Sequence, residues 1–228
     1  MTRASRTAQA SKPKTETIER LLDAAEQLFG DFGYDGVGMR ALTDKAKVNL
    51  GAATYHFGSK KALYIETFMR RFRPLNAERL QLLRDAQSRA HGRPVSVEII
   101  VGCMVKPTYT LGLTYPGFDA LLARNFAVPP KFLRAALHKE FEINIREFIS
   151  ALQQALPDIP ESLLRLRVMF SVAPTLMFAS RIGRESEASD PDIHEHILKE
   201  LIRFIAAGLK SAPAVNEVLP SWTPKVRR

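Results

Sequence analysis

Between Thr15 and Gly33 the apolar residues Ile18, Leu21, Leu22, Ala25, Leu28, Phe29 and Phe32 recur at steps of three and four. That spacing lines them along one face of an α-helix. The same rhythm continues down the chain, and alternation of period two is nearly absent. A chain patterned this way folds as an all-α protein. Glycine and proline punctuate it at "HGRP", "KPTYTLGLTYPG", "VPP", "LPDIP" and "EASDP". Between these breaks the pattern predicts helices over Val95–Val105, Phe118–Phe126, Lys131–Ala155, Glu161–Arg184 and Asp192–Ser211. "PTYTLGLTY" reads as a loop in preference to a short strand. Pro74 either ends or bends a helix that begins near Lys60, and Pro174 is expected to kink or loosen the last but one.

The chain has 228 residues and a net charge of +9. No apolar run approaches the ~20 residues of a membrane span. The first fourteen residues are polar and basic with no apolar core, so they read as a disordered arm and not as a secretory leader. The lone cysteine, Cys103, lies in "VEIIVGCMV" and reads as a buried small hydrophobe. The single thiol fits a reducing cytoplasm. Positive charge is concentrated near the N-terminus. Arg40, Lys45, Lys47, Lys60, Lys61, Arg70, Arg71 and Arg73 face only two acids, Asp44 and Glu66, between residues 39 and 73. From residue 74 to 211 the two signs nearly balance. Concentrated positive charge suits a polyanion.

"TYHFGSKKAL" sharpens that reading. Gly58 breaks one helix, and Ser59 suits the N-cap of the next. Lys60 and Lys61 then occupy a first turn that already carries partial positive charge. A bound phosphate would remove that conflict. Upstream, "MRALTDKA" and "LGAATYHF" are short helices joined by "KVN", which describes a helix-turn-helix. Gly51, Ala52 and Ala53 are small enough for the second helix to approach a major groove. Tyr55 and His56 are suitable phosphate donors.

"ERLLDAAEQLFGDFGYDGVGMRALTDKAKVNLGAATYHFGSKKAL" resembles the DNA-binding domain of the TetR family of bacterial transcriptional regulators. The resemblance implies a three-helix DNA-binding domain over residues 15–60, after a disordered arm of residues 1–14. It implies a larger helical ligand-binding and dimerisation domain over 61–211 and a flexible tail over 212–228. Leu50 to Phe57 would be the recognition helix. Arg40, Asn49, Gly51, Ala52 and Thr54 would meet bases or backbone, and Tyr55, His56, Lys60 and Lys61 would form a phosphate clamp. The sequence departs from the family pattern in two places. Gly38 and Met39 stand where a small hydroxyl residue is common. Lys47 stands where the turn often begins with glycine, and it would add a cation near DNA.

The implied partners are double-stranded operator DNA, a second copy of the chain in a homodimer, and a small apolar or acidic effector. Pocket candidates are Cys103, Met104, Tyr109, Phe118 and Phe126, with Arg124 for an acidic headgroup, and Phe141, Met169 and Met177 from later helices. Each also reads as plain core. Leu166 and Phe170, with Phe178, Ile197, Leu201 and Phe204, are the dimer candidates, because a helix apolar nearly all round must be covered on both sides. Repression relieved by ligand, ligand-independent regulation and activation all fit the resemblance. The chain holds no paired Cys or His at metal spacing, no phosphate-loop glycines and no serine elbow. "HEHI" is an i, i+2 pair that does not share a helix face. The reading is therefore neither an enzyme nor a holder of metal or cofactor. A helical interaction protein that ignores DNA is the remote alternative.

Overall fold

The computed structural model describes residues 5–179 and 191–212, the first ten as backbone. Nine helices occupy these residues: α1 Ser5–Phe32, α2 Met39–Ala46, α3 Leu50–Phe57, α4 Lys60–Arg89, α5 Val97–Thr114, α6 Pro116–Ala127, α7 Lys131–Ala155, α8 Glu161–Ala179 and α9 Pro191–Lys210. No strand occurs among them, so the fold is all-α.

α1 starts at Ser5, within the stretch where the sequence predicts a disordered arm. Extending a helix already nucleated by the Ile18–Phe32 face adds one bond per residue fixed, except at Pro13, which has no N–H to donate. The expected flexible tail, with Trp222, lies outside the described residues beyond residue 212. So does the C-terminal end of the helix expected over Glu161–Arg184.

Four prolines sit inside helices: Pro13 in α1, Pro74 in α4, Pro107 in α5 and Pro174 in α8. The segment read as a loop, "PTYTLGLTY", is thus the second half of α5. Its buried face runs on through Val105, Thr108, Tyr109 and Gly112. Burial of that face offsets the ~3 kcal/mol that an interior proline costs.

Two apolar clusters organise the molecule. The first joins Leu21, Ala25 and Phe29 of α1 to Leu42, Ala46 and Ala53 of the short helices, and to Leu63, Phe68 and Phe72 of α4. It also takes in Phe118 and Leu121 of α6 and Leu133 of α7. The second joins Leu83, Ile100, Val101, Phe148, Leu152, Leu164, Ile205 and Leu209. Cys103 is buried there, and burial pushes its thiol above the usual range. α4 threads both clusters.

α1 packs more extensively on α6 than any other helix pair packs together. The approach is close because two glycines meet. A Cβ on Gly30 would stand 2.6 Å from the carbonyl oxygen of Gly117. A Cβ on Gly117 would stand 3.3 Å from Cγ of Gln27. Arg124 closes the seam, donating from Nε to the Gly30 carbonyl (3.4 Å) and from Nη2 to the Asp31 carbonyl (3.1 Å). Those carbonyls belong to the last turn of α1 and have no partner within the helix. Tyr64 adds a bond from its hydroxyl to Oδ1 of Asn125 (2.8 Å).

Candidate nucleic-acid interface

α2 and α3 form the helix-turn-helix, with residues 47–49 between them. The turn begins at Lys47, in the left-handed region with φ 54° and ψ 46°, where the sequence reading expected a residue standing in for glycine. An L side chain there costs roughly 1–2 kcal/mol. Lys47→Gly is therefore expected to raise unfolding stability by about 0.5–1 kcal/mol while weakening duplex binding through the lost cation. Urea unfolding and binding titrations should move in opposite directions.

Asn49 begins α3. Its Oδ1 accepts from Ala52 N at 2.6 Å, satisfying one of the helix's open donors. It was expected to meet bases or backbone. Its oxygen is instead committed to this cap, and only its amide nitrogen remains to face a partner. Along α3, Leu50 is 44% exposed and Tyr55 78%. Gly51 and Thr54 are exposed as well. These four positions, at i, i+1, i+4 and i+5, form one continuous outer face. Ala53 is buried beneath it and Ala52 is half-buried. A Cβ on Gly51 would find only Asn49 Oδ1, at an ordinary 3.5 Å. Packing inside the chain therefore gives no reason for glycine at this position. Leu50 was not among the candidate residues, although its exposure puts a large apolar side chain on this face, ahead of Gly51, Ala52 and Ala53. Arg40 is exposed on α2. Gly38 caps α2 with no side-chain bond, so the hydroxyl common in the family has no substitute there.

The joint between α3 and α4 is a γ-turn. Ser59 N donates to the Phe57 carbonyl at 2.7 Å around Gly58, whose φ is 69° and ψ −42°. That conformation requires glycine. Ser59 then caps α4, its Oγ accepting from Ala62 N at 3.1 Å. The cap is exposed. Lys60 is half-buried with Nζ 4.3 Å from the centre of the Tyr34 ring, and Lys61 Nζ stands 5.5 Å from that of Phe132. Tyr34, Tyr64, Phe29 and Phe132 pack edge to face or stacked below them. The aromatic faces attract the ammonium groups and hold both near the N-terminus of α4. His56 is half-buried, its ring 5.2 Å from that of Tyr55.

Not every nearby cation belongs to this surface. Arg70 reaches Glu26 (2.6 Å), Asp23 (2.8 Å) and Glu19 (3.0 Å) on α1. Burial works against its charge, but the bonds to Glu26 and Asp23 outweigh that and hold it above its ordinary value. Arg71 pairs with Glu26 at 3.1 Å and stacks on Tyr115, 3.7 Å from the ring centre. Arg73 pairs with Glu140 at 3.5 Å. The positive surface narrows to Arg40, Lys45, Lys47, Lys60 and Lys61.

The nine pocket candidates do not come together. Phe118 and Phe141 pack in the first cluster, Cys103 and Met104 in the second. Tyr109 shares a 2.8 Å hydrogen bond with Nδ1 of His194. Arg124 covers the end of α1. Phe126 is half-buried, and Met169 and Met177 are exposed. A surface cleft of about 300 Å³ between α4 and α5 is lined by Arg89, Arg93, Val95 and Ile99, none of them a candidate.

Of the dimer candidates, Phe170 is 66% and Phe204 71% exposed, and Leu166 is exposed beside them. Leu166, Met169, Phe170 and Met177 share one face of α8 at steps of three, four and eleven. Leu201 is buried in the second cluster, with Phe178 packed against it. On a helix apolar nearly all round, periodicity does not say which side meets the core. Ile197 is half-buried.

Residues 21–67 match the family profile described as bacterial regulatory proteins, tetR family. Residues 102–208 match the tetracyclin repressor-like C-terminal domain. The A-factor receptor protein of Streptomyces griseus is 38% identical over 48 residues, which are 21% of this chain and 17% of that protein. The fatty acid degradation regulator FadR from Bacillus halodurans aligns with a TM-score of 0.66 at 13% identity, over 86% of this chain and 97% of that one. The TetR family regulator PfmR from Thermus thermophilus aligns at 0.60 and 16% identity, over 84% and 100%. At such identities the structural likeness establishes the fold. With its reading unit and its larger helical region each matched by a profile of one family, the chain belongs to the TetR family of bacterial transcriptional regulators.

Proposed function

We propose that the chain is a non-enzymatic, cytoplasmic, homodimeric repressor that leaves its operator when a small molecule binds its larger domain. One observation carries the DNA side of this reading. The exposed face Leu50–Gly51–Thr54–Tyr55 is followed, four residues on and across the tight Gly58 turn, by a Ser59-capped helix start that bears Lys60 and Lys61. A helix laid in the major groove would bring a backbone phosphate to that start, where N–H groups, dipole and ammonium groups add together. Arg40, Lys47 and Tyr55 flank it, and His56 and the Asn49 amide nitrogen complete the contact set. The reading unit spans residues 15–60, and the region from 61 to 211 serves dimerisation and ligand.

The second copy docks on the exposed stripe of α8 with Phe204 of α9. Two-fold symmetry then presents two recognition helices to half-sites ~34–36 Å apart or a multiple of that. The effector acts by population shift, favouring a dimer whose recognition helices no longer match that spacing.

The test is the salt dependence of duplex binding. Log affinity should fall linearly with log salt, at roughly 0.9 per phosphate neutralised. Lys60→Ala and Lys61→Ala should each lower the slope by about that amount. A flat salt response, or slopes unchanged in both variants, would remove the phosphate clamp and with it this reading.

A further inference from the structure

Between the two apolar clusters lies a polar layer that crosses four helices. On α4, Leu75 belongs to the first cluster and Leu83 to the second, with Asn76 and Arg79 between them. On α5, Thr108 follows Val105 of the second cluster and precedes Leu111 of the first. On α7, Asn144 separates Phe141 from Ile145, and on α8, Ser171 and Thr175 separate Val168 from Leu176. All except Arg79 are fully buried, and Arg79 is mostly so.

The two α8 hydroxyls are satisfied by their own helix, Ser171 donating to the Val168 carbonyl and Thr175 to the Ser171 carbonyl. The rest of the layer is incomplete. Arg79 donates from Nε to the Met104 carbonyl (3.0 Å), from Nη1 to Asn76 Oδ1 (3.1 Å) and from Nη2 to Thr108 Oγ1. Every one of these acceptors is neutral. Among the described residues no carboxylate pairs with it, whereas Arg70 two turns earlier holds three. Loss of water draws the guanidinium down to about 10, so it remains charged at neutral pH. Beside it, Nδ2 of Asn76 makes no hydrogen bond, although the other atom of that amide touches Arg79. Among the described residues, Asn144 Oδ1 is the layer's one acceptor without a partner. A largely buried cation hydrogen-bonded only to neutral acceptors, with the Glu78 charge acting on it without a bond, next to a buried orphan donor, is a set of groups lacking a directly bonded anionic acceptor.

We propose that this layer is the effector site, and that the effector is an amphiphilic anion. Its carboxylate or phosphate head is held by Arg79 and Asn76, and its apolar chain lies against the flanking clusters. This rests on the reading that the chain answers a small molecule. It differs from the pocket expected from the sequence, because neither Arg79 nor Asn76 was singled out there. Their signal was legible: Asn76 is buried on α4 with Leu75, Leu83 and Ala86, and Arg79, three residues after it, shares that face.

The test uses the full chain without DNA. Hexanoate, decanoate, palmitate and decyl phosphate are compared with decanol by calorimetric titration and by melting temperature. At least one anion should bind about tenfold or more tightly than decanol, the effect of one charge-assisted hydrogen bond, and should raise the melting temperature. Comparing decanoate with decyl phosphate identifies the head. Arg79→Met should erase the preference for the anion, and Arg79→Lys should reduce it while keeping the charge. Equal binding of decanol and every anion, no binding of any anion, or a preference that survives in Arg79→Met would overturn the proposal and leave a hydrated structural layer. Should Arg79→Met not fold, the comparison of heads on the unmodified chain and on Arg79→Lys decides alone. Because no DNA is present, failure here leaves operator binding to its own salt test.

Discussion

Arg70→Met is expected to lower the unfolding free energy by about 3 kcal/mol, the lower end of what breaking a buried ion pair costs. Glu26 is buried on α1, and Arg70 is the cation that meets it from α4 at 2.6 Å. Removing the guanidinium leaves that buried carboxylate with Arg71 as its remaining cation. Arg71 at 3.1 Å compensates in part, which keeps the effect at the low end. The exposed partners Glu19 and Asp23 add little. The paired change Arg70→Met with Glu26→Met removes both charges and should recover most of the loss. Urea unfolding at one fixed chain concentration measures this, since association would otherwise shift the midpoint. A loss no greater than that of an exposed pair, below about 1 kcal/mol, would show that the network is ornamental to the α1–α4 joint.

Gly30→Ala should be nearly as damaging by a different route. The new methyl would stand 2.6 Å from the Gly117 carbonyl oxygen, a backbone atom that no rotamer change can move aside. Helices α1 and α6 must then separate, and overpacking of this kind costs about 1–3 kcal/mol. Separation also stretches the bonds from Arg124 to the Gly30 and Asp31 carbonyls. The expected signature is a lower unfolding midpoint together with faster hydrogen exchange at the end of α1. Alanine at the exposed Gly38, where nothing stands within 4 Å of the added atom, should do neither.

What the sequence made legible follows from how local each signal is. The bounds of α7, the cap at Ser59 and the left-handed turn at Lys47 depend on neighbouring residues, and the structure has each where the pattern places it. The prolines misled, because the cost of Pro107 is local while the burial that offsets it comes from other helices. The basic patch was overcounted for the same reason: the acids that hold Arg70 lie 44 to 51 residues away. Asn49 is the opposite case. Its cap was local and readable, since asparagine three residues before an amide it can satisfy is a strong helix-start signal. The candidate pocket scattered because aromatic and sulfur residues fill cores as readily as they line cavities. The polar layer was visible only as polar residues on buried faces of four separate helices, and their convergence required the fold.

Pro74 gives α4 an unequal stiffness along its length. Lacking an N–H, it leaves the Arg70 carbonyl without the usual bond four residues on. The rod is therefore most compliant one turn from the point where Arg70 grips α1. A bend at Pro74 would turn the N-terminal half of α4 relative to the half that carries Arg79, and it would work against the α1–α6 seam. Ser59 lies about 22 Å from Pro74, so a change of about 10° in the bend carries the start of α4 through roughly 4 Å. A displacement of that size is comparable to the rise of one base pair.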